Sequence, residues 1–226
     1  MRGVYRFFLL IFMSAMLCTY FFVSTAAAGD FEAGVKAYEN KDYKTAYQNF
    51  LKAAEANNSE AQKDLGIMYG DGLGVPQSYK EAVKWYRLAA NNGNPEAQYN
   101  LGIIYEFGKD NVLQDYKEAA RWLHLAAEQG DPDAQTNLGY MYDHGLGVQQ
   151  DNKKAVKWYR QAAEQRDPYA QSNLALMYEN GQGVPQDYKK AMEWFLLSAK
   201  QGDPEAQYDV GRMYDLGEGV LEVGCQ

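Results

Sequence analysis

Five near-copies of one pattern occupy most of this 226-residue chain, and they restrict its fold more tightly than any single residue does. The pattern reads Ala-Gln-x-x-Leu-Gly-x-x-Tyr, then a Gly-x-Gly-Val loop, then Tyr-Lys-x-Ala-x-x-Trp-x-x-x-Ala-Ala. The leading alanines are Ala61, Ala97, Ala134, Ala170 and Ala206, spaced by 36, 37, 36 and 36 residues. A fixed period in this range belongs to stacked units, none of which can bury its apolar face alone. The expected product is an all-α solenoid. Such a fold offers a long surface rather than an enclosed pocket, so binding is its expected work.

Each unit reads as two antiparallel helices. In Gly130-Asp131-Pro132-Asp133-Ala134, the glycine suits the left-handed position that ends a helix. Asp131 is a good N-cap, Pro132 fits the first helical position, and Asp133 sits where the helix dipole favours negative charge. Asn94-Pro95-Glu96 and Asp203-Pro204-Glu205 repeat the arrangement, and Asp167-Pro168 does too, except that Arg166 replaces the glycine. If that site is left-handed, Arg166 costs about 1 kcal/mol. Ala134, Leu138 and Tyr142 share one face of the first helix. Gly66, Gly102, Gly139 and Gly211 recur in mid-helix, with Ala175 in the fourth unit, which implies a close neighbouring helix. Trp85, Trp122, Trp158 and Trp194 recur beside alanines in the second helix and are expected to pack between hairpins.

The termini and the charge narrow the setting. Arg2 and Arg6 precede an apolar run from Phe7 to Val23, and Ala26 and Ala28 are the small residues of a cleavage site. Residues 1–28 therefore read as a secretory signal peptide, with an uncleaved membrane anchor as the alternative. Either way the remainder is expected outside the cytoplasm: exported, and periplasmic or secreted. A divergent hairpin at 29–58 reads as an N-terminal cap. Repeats follow at 59–94, 95–131, 132–167, 168–203 and, in partial form, 204–226. The partial unit is open to three readings: a native cap, a docking edge for self-association, or a truncation. Without Arg2 and Arg6 the chain holds 20 basic and 30 acidic residues, a formal charge of −10. That balance disfavours nucleic acid and anionic lipid and leaves basic partners.

The repeated Ala-Gln-x-x-Leu-Gly-x-x-Tyr and Tyr-Lys-x-Ala-x-x-Trp units resemble the Sel1-like repeat, a relative of the tetratricopeptide repeat, from residue 59 to about residue 220. One departure is Gly108-Lys109-Asp110-Asn111-Val112, which has an extra residue and lacks the second loop glycine. The resemblance implies a right-handed α/α superhelical solenoid of TPR-like hairpins and a role as adaptor or scaffold in protein complexes.

Chemistry is thinly represented. The Gly-x-Gly loops follow helices and lack a Gly-Lys-Ser/Thr sequence, so they read as turns. His124 and His144, the two histidines, lack metal-ligand spacing. Cys225 has no nearby histidine, and the paired cysteines of relatives linked to β-lactams are missing. No catalytic residue, cofactor or metal is expected. A cell-wall or β-lactam hydrolase and a self-associating envelope protein remain as alternatives.

By the same resemblance the first helices line a concave, peptide-binding face. Just before each leucine the chain reads Asp64, Asn100, Asn137, Asn173 and Asp209, a column whose amides can serve an extended backbone. Beside it run Lys63, Tyr99, Thr136, Ser172 and Tyr208, and then Ile67, Ile103, Tyr140, Leu176 and Arg212. Glu60, Glu96, Asp133 and Glu205, with Glu106, Asp143, Glu179 and Asp215, make the groove acidic. The expected ligand is a protein or peptide segment that is basic or amphipathic.

Overall fold

The computed structural model describes residues 27–219. The expected signal peptide lies outside them except for Ala27 and Ala28, and so do Cys18, Cys225 and the tail from Val220. Among the described residues the regular structure is helical: α1 (27–39), α2 (Tyr43–Glu55), α3 (Ser59–Asp71), α4 (Tyr79–Asn91), α5 (Pro95–Phe107), α6 (Tyr116–Glu128), α7 (Pro132–His144), α8 (Asn152–Glu164), α9 (Pro168–Asn180), α10 (Tyr188–Lys200) and α11 (Pro204–Leu216). The described residues divide into two compact units, one up to Ala97 and one from Gln98 onward.

The boundaries follow from side chains that compete with the backbone. Asn58, Asp131 and Asp167 accept from the N–H three residues on and open α3, α7 and α9. Ser78, Asp115, Asp151 and Asp187 open the second helices in the same way. Each such cap is worth about 1 kcal/mol. The loop between α5 and α6 keeps the departure seen in its sequence. Asp110 takes a positive φ of 47°, and Lys109 and Val112 pair as a short antiparallel bridge.

In the first unit α2 packs on α3 and α3 on α4. The core joins Ala46, Phe50, Ala53, Ala61, Leu65 and Met68, with Trp85 partly buried against it. In the second unit each of α6 to α10 packs on the next helix. One core cluster centres on Leu123, Leu138 and Met141, and another on Tyr159, Leu174, Met177 and Phe195.

The expected close approach of a neighbouring helix at the mid-helix glycines is present at Gly66, Gly102 and Gly139. In α4, α8 and α10 the deepest ring is not the tryptophan but the residue after it, while in α6 Trp122 is itself 2% exposed and Leu123 follows it. Tyr159 and Phe195 are at most 1% exposed and Tyr86 is 6% exposed, while Trp85 and Trp194 are only half-buried. A Cβ on Gly139 would stand 2.7 Å from the Tyr159 ring. On Gly66 it would stand 2.5 Å from Tyr86, and on Gly102 2.5 Å from Leu123. Phe50 falls in this column, and Gly34 faces it at 2.5 Å. The hairpin α1/α2 is therefore built on the same contact as its siblings. Gly211 has nothing within 4 Å, since no described helix follows α11.

Candidate functional site

The first-helix columns are best followed one unit at a time. In the first unit, Lys63 on α3 binds Asp64 at 3.0 Å, Glu96 at 3.2 Å and Glu60 at 3.4 Å. Burial opposes the Lys63 charge, but Asp64 and Glu96 hold its ammonium above the ordinary lysine value. Burial pushes the Asp64 carboxyl up against the pull of Lys63. Ile67 and Asp64 line a cavity of about 150 Å³ with Val35, Tyr38 and Phe50.

In the second unit the column beside the asparagines is largely consumed by the fold. The Thr136 hydroxyl lies 3.0 Å from both the Pro132 carbonyl and Asp167 Oδ1. The Ser172 hydroxyl reaches Asp203 Oδ2 at 2.6 Å and Ser198 Oγ at 3.0 Å, and Ser198 is itself 2.7 Å from Asp203 Oδ2. These bonds run from one hairpin to the cap of the next. Burial raises the Asp167 carboxyl despite bonds from Ala170 N–H and Thr136. At Asp203 burial is outweighed by the Ser172 and Ser198 hydroxyls, and the carboxyl falls below its usual range. Tyr208 stands open at 71% exposure.

The asparagine column is partly free. Burial raises the Tyr99 phenol, while the Asn137 side chain beside its hydroxyl favours the ionised form. Asn100 and Asn173 are half-buried, and no hydrogen bond joins their amides to another described residue. Asp209 is held by Arg212 at 3.1 Å. Arg212 also binds the buried Glu179 at 2.6 Å, with Glu218 3.9 Å away. In the same outer column Ile103 is half-buried, whereas Tyr140 and Leu176 are exposed, and Tyr140 stacks on His144 at 4.0 Å.

The acidic residues divide into two kinds. Asp133, Glu205 and Asp215 are exposed and Asp143 is half-buried. Glu106 and Glu179 are buried. Glu106 Oε2 has no hydrogen-bond partner, and burial raises its carboxyl. The donors and acceptors suit recognition of a polar backbone and of cationic side chains. Among the described residues no group of His, Cys, Asp and Glu is placed to hold a metal ion.

One set of polar residues escaped the motif reading. The glutamines of the first four Ala-Gln pairs, Gln62, Gln98, Gln135 and Gln171, are buried, whereas Gln207 in the last is exposed. Gln62, Gln135 and Gln171 donate to the Ala54, Ala127 and Ala163 carbonyls at 3.1 Å. Their own carbonyls accept from Asn92, Gln165 and Gln201 at 2.9 to 3.0 Å. Identity in all five copies was the available signal. A residue that never varies between repeats serves what the repeats share, which is stacking; ligand contacts belong where the copies differ.

Comparison with known proteins agrees with this architecture. The Sel1 repeat model matches residues 31–58, 59–94, 95–131, 132–167, 168–203 and 204–223. A solved protective antigen of uropathogenic Escherichia coli strains, described as displaying an SLR fold, is 38% identical with a TM-score of 0.80; the match covers 84% of this chain but 42% of that one. A Sel1 repeat protein from Oxalobacter formigenes is 34% identical with a TM-score of 0.79, over 85% of this chain and 76% of that one. PilF of Pseudomonas aeruginosa, 19% identical with a TM-score of 0.57 over 80% of this chain and 78% of that one, shares the fold alone. No curated protein matches the chain in sequence. With six matched repeats, built as five consecutive helix hairpins and α11, this chain belongs to the Sel1 repeat family, whose repeats generally mediate protein–protein interaction.

Proposed function

We propose that this chain is an exported, non-enzymatic adaptor that holds a basic or amphipathic protein segment against the first-helix face of its second unit. The observation that carries the reading is the pair of unengaged amides on Asn100 and Asn173, set beside the apolar Ile103 and the exposed Leu176. Half-buried amides without partners are costly unless water or a ligand serves them. The ion pair of Arg212 with Glu179 supports the choice of a cationic ligand, because this face already seats one guanidinium between Glu179 and Asp209. The apolar run from Phe7 to Val23 and the small residues ending at Ala28 support export.

The test compares the parent chain with an Asn100→Ala, Asn173→Ala variant of equal helicity as baits on envelope extract. A partner retained by the parent and lost by the variant supports the reading. Equal capture by both baits moves binding off this face.

A further inference from the structure

A groove of about 430 Å³ lies where the end of α8, the start of α9 and the body of α10 meet. Ala163, Trp194 and Leu197 form its apolar floor, and Leu197 is 44% exposed. Arg166 and Lys200 stand at its rim with Glu164. Neither cation is in an ion pair with a described residue.

The preceding hairpin shows how unusual this is. The matching positions, 36 residues earlier, are Ala127, Glu128, Gly130, Trp158, Gln161 and Glu164. Two carboxylates and no cation occupy those matched positions. Here a lysine takes the place of one carboxylate, an arginine the place of a glycine, and a leucine the place of a glutamine. The arginine is held at φ 71°, in the left-handed region that Gly93, Gly130 and Gly202 occupy at the same place in their repeats. Asn57 takes this place in the first unit at φ 66°, but asparagine tolerates that region and arginine does not; strain kept for an arginine points to use of its side chain. The tryptophan differs as well. Arg121 covers the Trp122 ring at 4.6 Å, and Lys157 covers Trp158 at 5.0 Å. Glu193 replaces that cation before Trp194, and no described cation lies over the Trp194 ring.

We propose that this groove is a second docking site, for an acidic segment of a partner protein that carries an aromatic or leucine side chain. The apolar side chain packs on Trp194 and Leu197, while flanking carboxylates meet Arg166 and Lys200. Charge complementarity selects the occupant, because two cations against one carboxylate form a positive spot on a chain of net charge −8. The site is independent of the first-helix face, which calls for the opposite charge.

The probe is a fluorescein-labelled peptide of sequence EEWLEE, with QQWLQQ as control, titrated against the purified full-length chain. The comparison variant is Arg166→Gly with Lys200→Glu. It restores the residues of the preceding hairpin and is expected to keep the fold. The parent is expected to bind EEWLEE at least about tenfold more tightly than either QQWLQQ binds or the variant binds EEWLEE. Binding should weaken with added salt and shift one indole N–H signal, the one missing in Trp194→Phe. Equal binding by parent and variant, or no saturation below about 1 mM peptide, would overturn the proposal. So would a self-associated parent that the variant converts to monomer with no peptide bound, since the occupant would then be a second copy.

Discussion

The hairpins α7/α8 and α9/α10 are written in the same pattern, yet they solve it differently in the core and diverge on the surface. In α7/α8, Gly139 faces Tyr159, whose buried hydroxyl has no partner. In α9/α10 the corresponding residues are Ala175 and Phe195, both fully buried. The helix gains a methyl group against the face of the ring, and the ring loses its unpartnered hydroxyl. On the surface, Gly130 and Glu164 of one hairpin become Arg166 and Lys200 at the next turn. Core columns change together because volume is conserved between packed helices. Surface columns have no such constraint, and that is where specificity is free to develop.

The strongest way to break this comparison is to empty the shared ring position. Tyr159→Ala is expected to cost about 3–5 kcal/mol by chemical denaturation, while Tyr159→Phe should leave stability equal or higher, because the lost hydroxyl was unsatisfied. A clear loss with phenylalanine would mean that the hydroxyl is served in solution.

A smaller effect separates helices with and without a facing ring. Gly139→Ala places a Cβ 2.7 Å from a buried ring and is expected to destabilise by about 1–3 kcal/mol. Gly211→Ala meets open space and should stabilise by up to about 1 kcal/mol through helix propensity. Equal effects in thermal melts would refute the close approach.

The smallest effect concerns the acidic column, where Glu179 has Arg212 and Glu106 has no such cation. Burial raises the Glu106 carboxyl above its unfolded value of about 4.3. The folded state thus binds the proton more tightly. The stability from that proton is complete below the unfolded value and is lost as pH rises through the folded one. Glu106→Gln should therefore melt slightly higher than the parent at pH 7, and the difference should shrink toward pH 4. A constant difference across that range would show that Glu106 finds a partner in the native chain.

Much of the fold was legible beforehand. The 36-residue spacing, the Asp-Pro starts and the glycine ends set the hairpins and their order, because capping and periodicity are local. Burial depth was harder to read. Trp158 and Tyr159 are adjacent large aromatics, and a helix turns 100° between them, so only the position of the facing helix decides which ring goes under the glycine. The candidate site was legible as a set of columns but not as a set of free groups. Thr136 and Ser172 were read beside the asparagines as ligand contacts, and the fold commits both hydroxyls to the aspartate caps of the following hairpins.

The sequence by itself determined an all-α chain of repeated hairpins, where each helix starts and stops, and which side of each first helix is apolar. These follow from propensity, capping and period, which act within a few residues. Only the tertiary structure decided which amides remain unengaged, that Arg212 closes on Glu179, and that Arg166, Trp194 and Lys200 meet around one groove. Those facts depend on residues about thirty positions apart being brought within a few ångströms, and packing between hairpins, rather than local preference, sets such distances.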